Sequence, residues 1–266
     1  MTSGFINGTK YELEGNNKPT LVLVHGLGLN REMWQYQIRY FRDKYRVLSY
    51  DLYGHGQSRN ANRDPSLDIF TQQLKFLLEA LNLSKVVLIG FSLGGMIARH
   101  FTQTYPDKIR SLVILNSPHK REALAQRTVF DRYNKVLKFG PKSTVEEAIK
   151  RWFTPNFGKH NKEKENLVRS WVLANKPDVY AKNYHVLVNG VEEVIDKKGQ
   201  ISCPTLVVTA DEDFGNGPEM AEAIANEIEG AKLIILRGLR HMALFEDPEG
   251  VNKHLIKFLK GACDER

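Results

Sequence analysis

The chain has 266 residues, of which 42% are hydrophobic, and a formal net charge of +7. This length suits one large domain with an inserted subdomain, and it requires no second full domain. The first residues lack the basic start and apolar segment of a secretory signal, and no apolar run approaches the roughly 20 residues that span a bilayer. We therefore expect a soluble, cytoplasmic protein without a membrane partner.

Apolar runs alternate with helical patterns over the first 116 residues. A short hairpin begins the series, and segments with apolar residues at helical spacing separate the later runs. The predicted strands are the hairpin at 5–13 and the runs 21–24, 46–51, 86–89 and 112–115. This alternation predicts a parallel sheet that helices cover on both faces.

The pattern changes between residues 117 and 200, where no strand is predicted. Four amphipathic segments lie here, at 121–138, 143–153, 162–175 and 177–188, and Ser143 with Glu146 forms a potential capping box for the second. The segment contains 17 Lys and Arg against 10 Asp and Glu, while the rest of the chain contains 21 of each. Since acidic residues are interleaved and no nucleic-acid motif is present, we interpret the surplus as a solvated helical face and expect no nucleic-acid partner.

The strand pattern resumes after residue 200. Strands are predicted at 204–209 and 232–236, with one helix starting at Pro218 and a last helix at Pro248. An all-helical insert between strands of a sheet predicts a cap over the carboxyl edge of that sheet. We therefore divide the chain into a core (1–116 and 201–266) and a helical cap (117–200).

One serine stands at a distinctive point of this pattern. The buried run Val86–Ile89 leads into Gly90-Phe91-Ser92-Leu93-Gly94, and a helical pattern follows directly. A strand, a glycine-flanked serine and a helix form a nucleophile elbow, in which small residues are needed two positions before and after the serine. The sequence therefore predicts that Ser92 is a nucleophile on a strained turn, with its hydroxyl pointing out of the sheet.

A serine hydroxyl becomes an effective nucleophile only when a base takes its proton and a third group holds that base. Ser92 ends one predicted strand, Asp211 or Asp213 follows another, and His241 follows the last. Because the carboxyl ends of parallel strands converge on one crevice, we expect these side chains to meet there. His119, just after a strand end, is the one serious rival to His241 as base.

With these motifs the chain resembles the α/β-hydrolase superfamily over essentially its full length. The matching segments are 25–28 (His-Gly-Leu-Gly), 51–58 (Asp-Leu-Tyr-Gly-His-Gly-Gln-Ser), 90–95 (Gly-Phe-Ser-Leu-Gly-Gly), 210–213 (Ala-Asp-Glu-Asp) and His241 ahead of 246–248 (Glu-Asp-Pro). The resemblance implies an α/β fold with a mostly parallel eight-stranded sheet, helices on both faces and an inserted helical cap.

The resemblance also implies roles for individual residues. Ser92 would be the nucleophile, His241 the general base and acid, and Asp213, rather than Asp211, the orienting carboxylate. The backbone N–H groups of Leu27 and Leu93 would form the oxyanion hole. No metal or organic cofactor is implied, and the two cysteines, Cys203 and Cys263, lack the spacing of a disulfide framework or a metal site.

Two positions depart from the family pattern. Arg240 stands where relatives commonly have a small residue before the histidine, and Phe214 begins a segment that replaces the more usual proline-containing turn after the acid. The side chain of Arg240 must therefore point away from His241 or alter its pKa.

These observations predict a serine hydrolase that cleaves a carboxylic ester or lactone through an acyl-enzyme. The segments 151–155 and 177–180 resemble the cap of 3-oxoadipate enol-lactonase-like hydrolases, which together with the basic cap suggests an acidic substrate. The candidate pocket residues are Phe91, Trp152 and Met242. The aromatic cap residues can equally be read as packing of the cap onto the sheet.

Other functions are compatible with parts of this pattern. The same triad could hydrolyse a carbon–carbon bond next to a ketone, and the same fold could serve as a small-molecule receptor with slow turnover. Dehalogenase chemistry is disfavoured, because that related branch carries an aspartate where Ser92 stands. The sequence makes no prediction of the oligomeric state.

Overall fold

The computed structural model describes residues 1–195 and 199–264, with side chains up to residue 262. Residues 196–198 of the predicted cap lie outside this part. Eight strands form one sheet in the order β1-β2-β4-β3-β5-β6-β7-β8. They are β1 (Thr2–Ile6), β2 (Thr9–Glu14), β3 (Thr20–Val24), β4 (Arg46–Tyr50), β5 (Val86–Phe91), β6 (Ile109–Leu115), β7 (Thr205–Ala210) and β8 (Lys232–Leu236).

The sheet is parallel from β4 through β8, and only the hairpin strand β2 runs antiparallel to its two neighbours. Strands β3, β5 and β7 are buried at every residue, as expected for strands covered on both faces. Their registers align Val24 with Gly90, Phe91 with Leu115 and Ala210 with Leu236, so the carboxyl ends lie at one edge. The predicted eight-stranded, mostly parallel sheet is confirmed.

Helices cover this sheet and form the insert. The first core helices are α1 (Gln35–Phe41), α2 (Leu67–Ala80) and α3 (Leu93–Thr104); the insert contains α4 (Ala123–Phe139), α5 (Val145–Trp152), α6 (Pro155–His160), α7 (Lys162–Leu173) and α8 (Pro177–Asn189); the last core helices are α9 (Pro218–Glu227), α10 (Ala243–Glu246) and α11 (Pro248–Asp264). Helix α1 packs against α11, and α2 packs against α3, which lies on β5 and β6. Among the described residues no helix is long and apolar enough to cross a membrane.

The described residues between 117 and 200 contain helices and 3₁₀ turns but no strand. Two details differ from the sequence prediction. Helix α6 was not predicted, and the proposed capping box is wrong, because helix α5 begins at Val145 and the hydroxyl of Ser143 instead donates to the carbonyl of Gly140 at 2.7 Å. Helix α6 begins with a proline at its first position, and the hydroxyl of Thr154 caps it by accepting the backbone N–H of Phe157 at 3.2 Å.

One buried arginine of α3 fastens both ends of the insert to the core. Arg99 Nη1 donates to the carbonyl of Pro118 at 3.2 Å, and its Nη2 donates to the carbonyl of Val194 at 2.7 Å. The carboxylate of Glu227 on α9 lies 3.4 Å from the same guanidinium and 2.7 Å from His119 Nε2. The points where the chain leaves and re-enters the core are therefore joined.

Candidate active site

Ser92 occupies a sharp turn between β5 and α3. Its backbone has φ 54° and ψ −116°, a left-handed conformation that is strained for a residue with a side chain. A Cβ atom at Gly90 would clash with the carbonyl oxygen of Gly94, and one at Gly94 would clash with that of Val24. The turn can therefore form only with glycine at both positions.

Asp213 and His241 come together beside this turn. His241 Nδ1 lies 2.7 Å from Asp213 Oδ2, which also accepts a hydrogen bond from Asn116 Nδ2 at 2.9 Å. Asp213 Oδ1 accepts the backbone N–H groups of Gly215 and Asn216, both at 3.1 Å. This pairing requires His241 to carry its proton on Nδ1, which leaves Nε2 free to act as a base.

The Asp213 carboxylate is buried, and burial alone would raise its pKa. The neighbouring His241, through charge and hydrogen bonding, and the donors on Asn116 and Gly215 outweigh burial and hold the pKa of Asp213 below its ordinary value. The carboxylate is therefore ionised at neutral pH and can stabilise a protonated imidazole.

The two rival residues lie elsewhere. Asp211 accepts the backbone N–H of Gly238 at 2.8 Å, next to the end of β8. His119 pairs with Glu227, and it is not among the residues that line the cavity containing Ser92 and His241. Of the alternatives, Asp213 is the aspartate in contact with His241.

The two departures from the family pattern are in contact with each other. The guanidinium of Arg240 lies 5.0 Å from the ring centroid of Phe214, and Arg240 Nε lies 3.2 Å from a carboxylate oxygen of Glu212. Arg240 Nη1 also donates to the carbonyls of Lys150 and Phe153 at 2.9 and 3.0 Å. Arg240 therefore points away from His241 and ties helix α5 to the loop that carries the histidine.

The loop after β3 lies against Ser92. A Cβ at Gly26 would be only 3.2 Å from the Cβ of Ser92, so this close approach favours glycine. Leu27 follows Gly26 in this loop, and Leu93 is the first residue of α3. Among the described residues neither backbone N–H has a protein acceptor.

His25 holds this loop in place. Its Nε2 accepts the backbone N–H of Leu52 at 2.9 Å, so its Nδ1 carries the proton and donates to the carbonyl of Gly26 at 2.8 Å. Because that carbonyl and the N–H of Leu27 belong to the same peptide unit, the bond fixes the direction of the Leu27 N–H.

A cavity of about 80 Å³ lies between the carboxyl edge of the sheet and the insert. Its lining includes Ser92, His241, Leu27, Phe91 and Trp152. The rings of Phe91 and Trp152 lie 4.8 and 5.9 Å from the His241 ring, measured between centroids. These two predicted pocket residues therefore lie beside the histidine.

The third predicted pocket residue, Met242, is placed differently. It is fully buried and does not belong to the lining of this cavity. Its backbone N–H donates to the carbonyl of Trp152 at 2.9 Å, so it joins the histidine loop to helix α5. Its assignment to the pocket is corrected accordingly.

Sequence reasoning missed three arginines of the insert, Arg121, Arg132 and Arg151, whose side chains line the cavity. The surplus of basic residues at 117–200 is the available signal, although a solvated helical face is the commoner explanation of such a surplus. Periodicity alone does not identify which cations face the cavity.

Within the described part of the chain, no group of three or more His, Cys, Asp or Glu could hold a metal ion.

Two buried histidines make the stability of the fold dependent on pH. Burial is the main reason that the pKa of His25 falls to about 4 and that of His55 to about 3. In the unfolded chain both bind a proton near pH 6.5, so folding stability is complete above that pH and declines as the pH falls towards 4. Each histidine contributes a slope of about 1.4 kcal/mol per pH unit in this range.

We expect the free energy of unfolding, measured by urea titration at pH 7, 6 and 5, to fall across this range. In the variant His55→Gln the free energy of unfolding should depend less steeply on pH, because unfolding then takes up about one proton fewer. This holds whatever the stability of the variant at pH 7. An unchanged slope would contradict the assignment of His55 as a buried neutral side chain.

Comparisons with known proteins give a consistent result. The family model described as alpha/beta hydrolase fold matches residues 19–248. The (E)-2-((N-methylformamido)methylene)succinate hydrolase of Acinetobacter baylyi is 32% identical, over 96% of this chain and 95% of that protein. The 3-oxoadipate enol-lactonase 2 of the same organism is 27% identical, over 92% of this chain and 90% of that protein.

A solved structure is similar over nearly the whole chain. It is a thermophilic esterase from Thermogutta terrifontis with malate bound, and it matches with a TM-score of 0.86 and 26% identity, over 96% of this chain and 93% of that one. Because the match covers 96% of this chain, the similarity includes both the sheet and the insert.

Proposed function

The chain belongs to the alpha/beta hydrolase fold family, and we propose that within it the chain is a serine hydrolase that cleaves a carboxylic ester or lactone. In this proposal Ser92 is the nucleophile, His241 the general base and acid, and Asp213 the orienting carboxylate. The main support is the 2.7 Å contact between His241 and Asp213 in the cavity that also contains Ser92 on its strained turn.

The mechanism follows from these positions. Ser92 Oγ attacks the carbonyl carbon while His241 Nε2 takes its proton, and Asp213 stabilises the imidazolium that forms. The N–H groups of Leu27 and Leu93 receive the negative charge on the carbonyl oxygen, and one such donor contributes about 3 kcal/mol in comparable enzymes. His241 then protonates the leaving oxygen, activates a water molecule and releases the acid.

The substrate we propose is a small acidic ester or lactone. The names of two relatives specify acidic substrates, a succinate derivative and an enol-lactone of 3-oxoadipate, and the similar esterase was solved with malate. In this chain three arginines line the cavity. An acidic substrate would give these cations partners that a neutral ester lacks.

Covalent labelling tests the nucleophile directly. Treatment with diethyl p-nitrophenyl phosphate should add one diethylphosphoryl group, located by peptide mass spectrometry on the segment that contains Ser92. Since a phosphorylated serine mimics the acyl-enzyme but hydrolyses slowly, the adduct should persist. Ser92→Ala should remain unlabelled, and a label on any other residue would contradict the proposal.

Steady-state turnover separates the proposal from its rivals. We expect many turnovers of p-nitrophenyl esters per chain, preceded by a burst if release of the acyl group is slow. Release of a single equivalent followed by no turnover would favour a receptor. Labelling of Ser92 without any ester or lactone hydrolysis would favour cleavage of a carbon–carbon bond.

A further inference from the structure

Three arginines converge on the cavity from the side of the insert. Arg121 precedes helix α4, Arg132 lies within it, and Arg151 lies near the end of α5. The cavity lining contains one carboxylate, Asp213, which is already in contact with His241. With a neutral His241 the lining therefore carries a formal charge of +2.

These cations have no carboxylate partner among the residues that the structure describes. Arg121 donates to two neutral oxygens, Gln126 Oε1 at 3.3 Å and the carbonyl of Leu187 at 3.4 Å, and its buried Nε has no acceptor. The buried Nε of Arg132 also lacks an acceptor, and neither Arg132 nor Arg151 forms an ion pair there.

Other buried arginines of this chain are satisfied differently. Arg31 binds Asp51 at 2.8 Å and Glu12 at 2.9 Å, and Arg99 lies 3.4 Å from Glu227. A partly buried guanidinium without a counter-charge is costly, because hydrogen bonds to neutral oxygens replace only part of the hydration that it loses. The three arginines that line the cavity thus lack ion pairs of the kind that Arg31 and Arg99 form.

The charge of Arg132 acts on the other two arginines. Burial, and then the charge of Arg132, lower the pKa of Arg121, to about 10. The same two causes, in the same order, lower the pKa of Arg151, and the more distant charges of Asp213 and Glu147 offset them only in part. Arg121 stays protonated at neutral pH even so, which means that like charges are held together in an apolar setting. A bound anion would relieve this repulsion.

We propose that Arg121, Arg132 and Arg151 form a subsite for two carboxylate groups, so that the substrate carries two free carboxylates in addition to the bond that is cleaved. This rests on the function proposed above. Two carboxylates match the charge of +2 on the lining, and guanidinium groups bind carboxylates with two parallel hydrogen bonds. Tyr180 and Tyr184, both on helix α8 of the insert, also line the cavity, and a tyrosine hydroxyl can donate a hydrogen bond.

Binding can be measured without catalysis in the Ser92→Ala chain. Calorimetric titration with malonate, succinate and glutarate is compared with propanoate, butanoate and pentanoate, which have the same numbers of carbon atoms. We expect at least one dicarboxylate to bind tenfold or more tightly than its monocarboxylate partner. Equal affinities, or no binding by any of the six acids, would overturn the proposal.

Arginine variants test whether the cavity arginines are responsible for the binding of the dicarboxylate. Added to Ser92→Ala, either Arg132→Gln or Arg151→Gln should weaken the preferred dicarboxylate at least tenfold and should leave the melting temperature equal or higher, because an unpaired cation is removed. Arg127→Gln is the matched control, since Arg127 is exposed on the same helix as Arg132. An equal loss in the control, or no loss in the cavity variants, would overturn the subsite.

The two proposals fail separately. Phosphoryl labelling of Ser92 reports the nucleophile and does not involve the arginines, whereas dicarboxylate binding is measured in a chain that lacks the nucleophile. Labelling without selective binding would retain the hydrolase and remove the subsite. Selective binding without labelling would retain the anion site and remove the serine mechanism.

Discussion

Ser92→Ala is expected to lower kcat for p-nitrophenyl ester hydrolysis on the order of 10⁶-fold, the scale found when the nucleophile of a serine hydrolase is removed. Alanine and serine share a Cβ and therefore a similar cost at φ 54°, so the fold should be retained. Steady-state kinetics measure the loss, and circular dichroism with thermal melting checks the fold. Hydrolysis that survives in a folded Ser92→Ala chain would show that another group performs the reaction.

Asp213→Asn is expected to lower kcat by about 10⁴-fold while the chain stays folded. The N–H groups of Gly215 and Asn216 both point at Oδ1, so the amide oxygen of the new asparagine should occupy that position. Its NH₂ group would then replace Oδ2 and face both His241 Nδ1 and the amide of Asn116, which would have to turn its oxygen towards it. His241 Nδ1 would become an acceptor, the proton would move to Nε2, and His241 could no longer take a proton from Ser92.

Asp211→Asn is the matched control for this variant. Asp211 lies two residues away, carries the same charge and accepts the backbone N–H of Gly238. We expect its kcat within a few-fold of the wild type in the same ester assay. If the two variants lose activity equally, the distinction between the aspartates is wrong, and general loss of charge or structure explains both.

The sheet and the elbow could be read from the sequence because their causes are local. A strand buried on both faces must be apolar along its length, as Val86–Ile89 is, and the turn at Ser92 tolerates only small residues at 90 and 94. The order of strand ends likewise suffices to bring Asp213 and His241 to the same edge. The catalytic roles of these residues remain predictions that the experiments above test.

The interior of the insert was less accessible to such reasoning. The direction of an arginine on an amphipathic helix depends on what the helix packs against, so Arg132 was indistinguishable from the exposed Arg127. The same holds for Met242, whose neighbour His241 lines the cavity while its own side chain does not. Arg240 and Phe214, which are 26 positions apart, are in contact with each other, whereas in the sequence each is only an isolated departure from the family pattern.

The two hydrogen bonds of Arg99 limit how the insert can move to admit a substrate. An inserted lid is anchored where the chain leaves and re-enters the core, and here the carbonyls of Pro118 and Val194 bind a single guanidinium. Releasing either end would sacrifice a hydrogen bond to a charged group, about 1.5–3 kcal/mol, and would disturb the helix that starts beside Ser92. We therefore expect the entrance to open by movement of the insert's helices, away from the core or from one another, while these two attachment points stay in place.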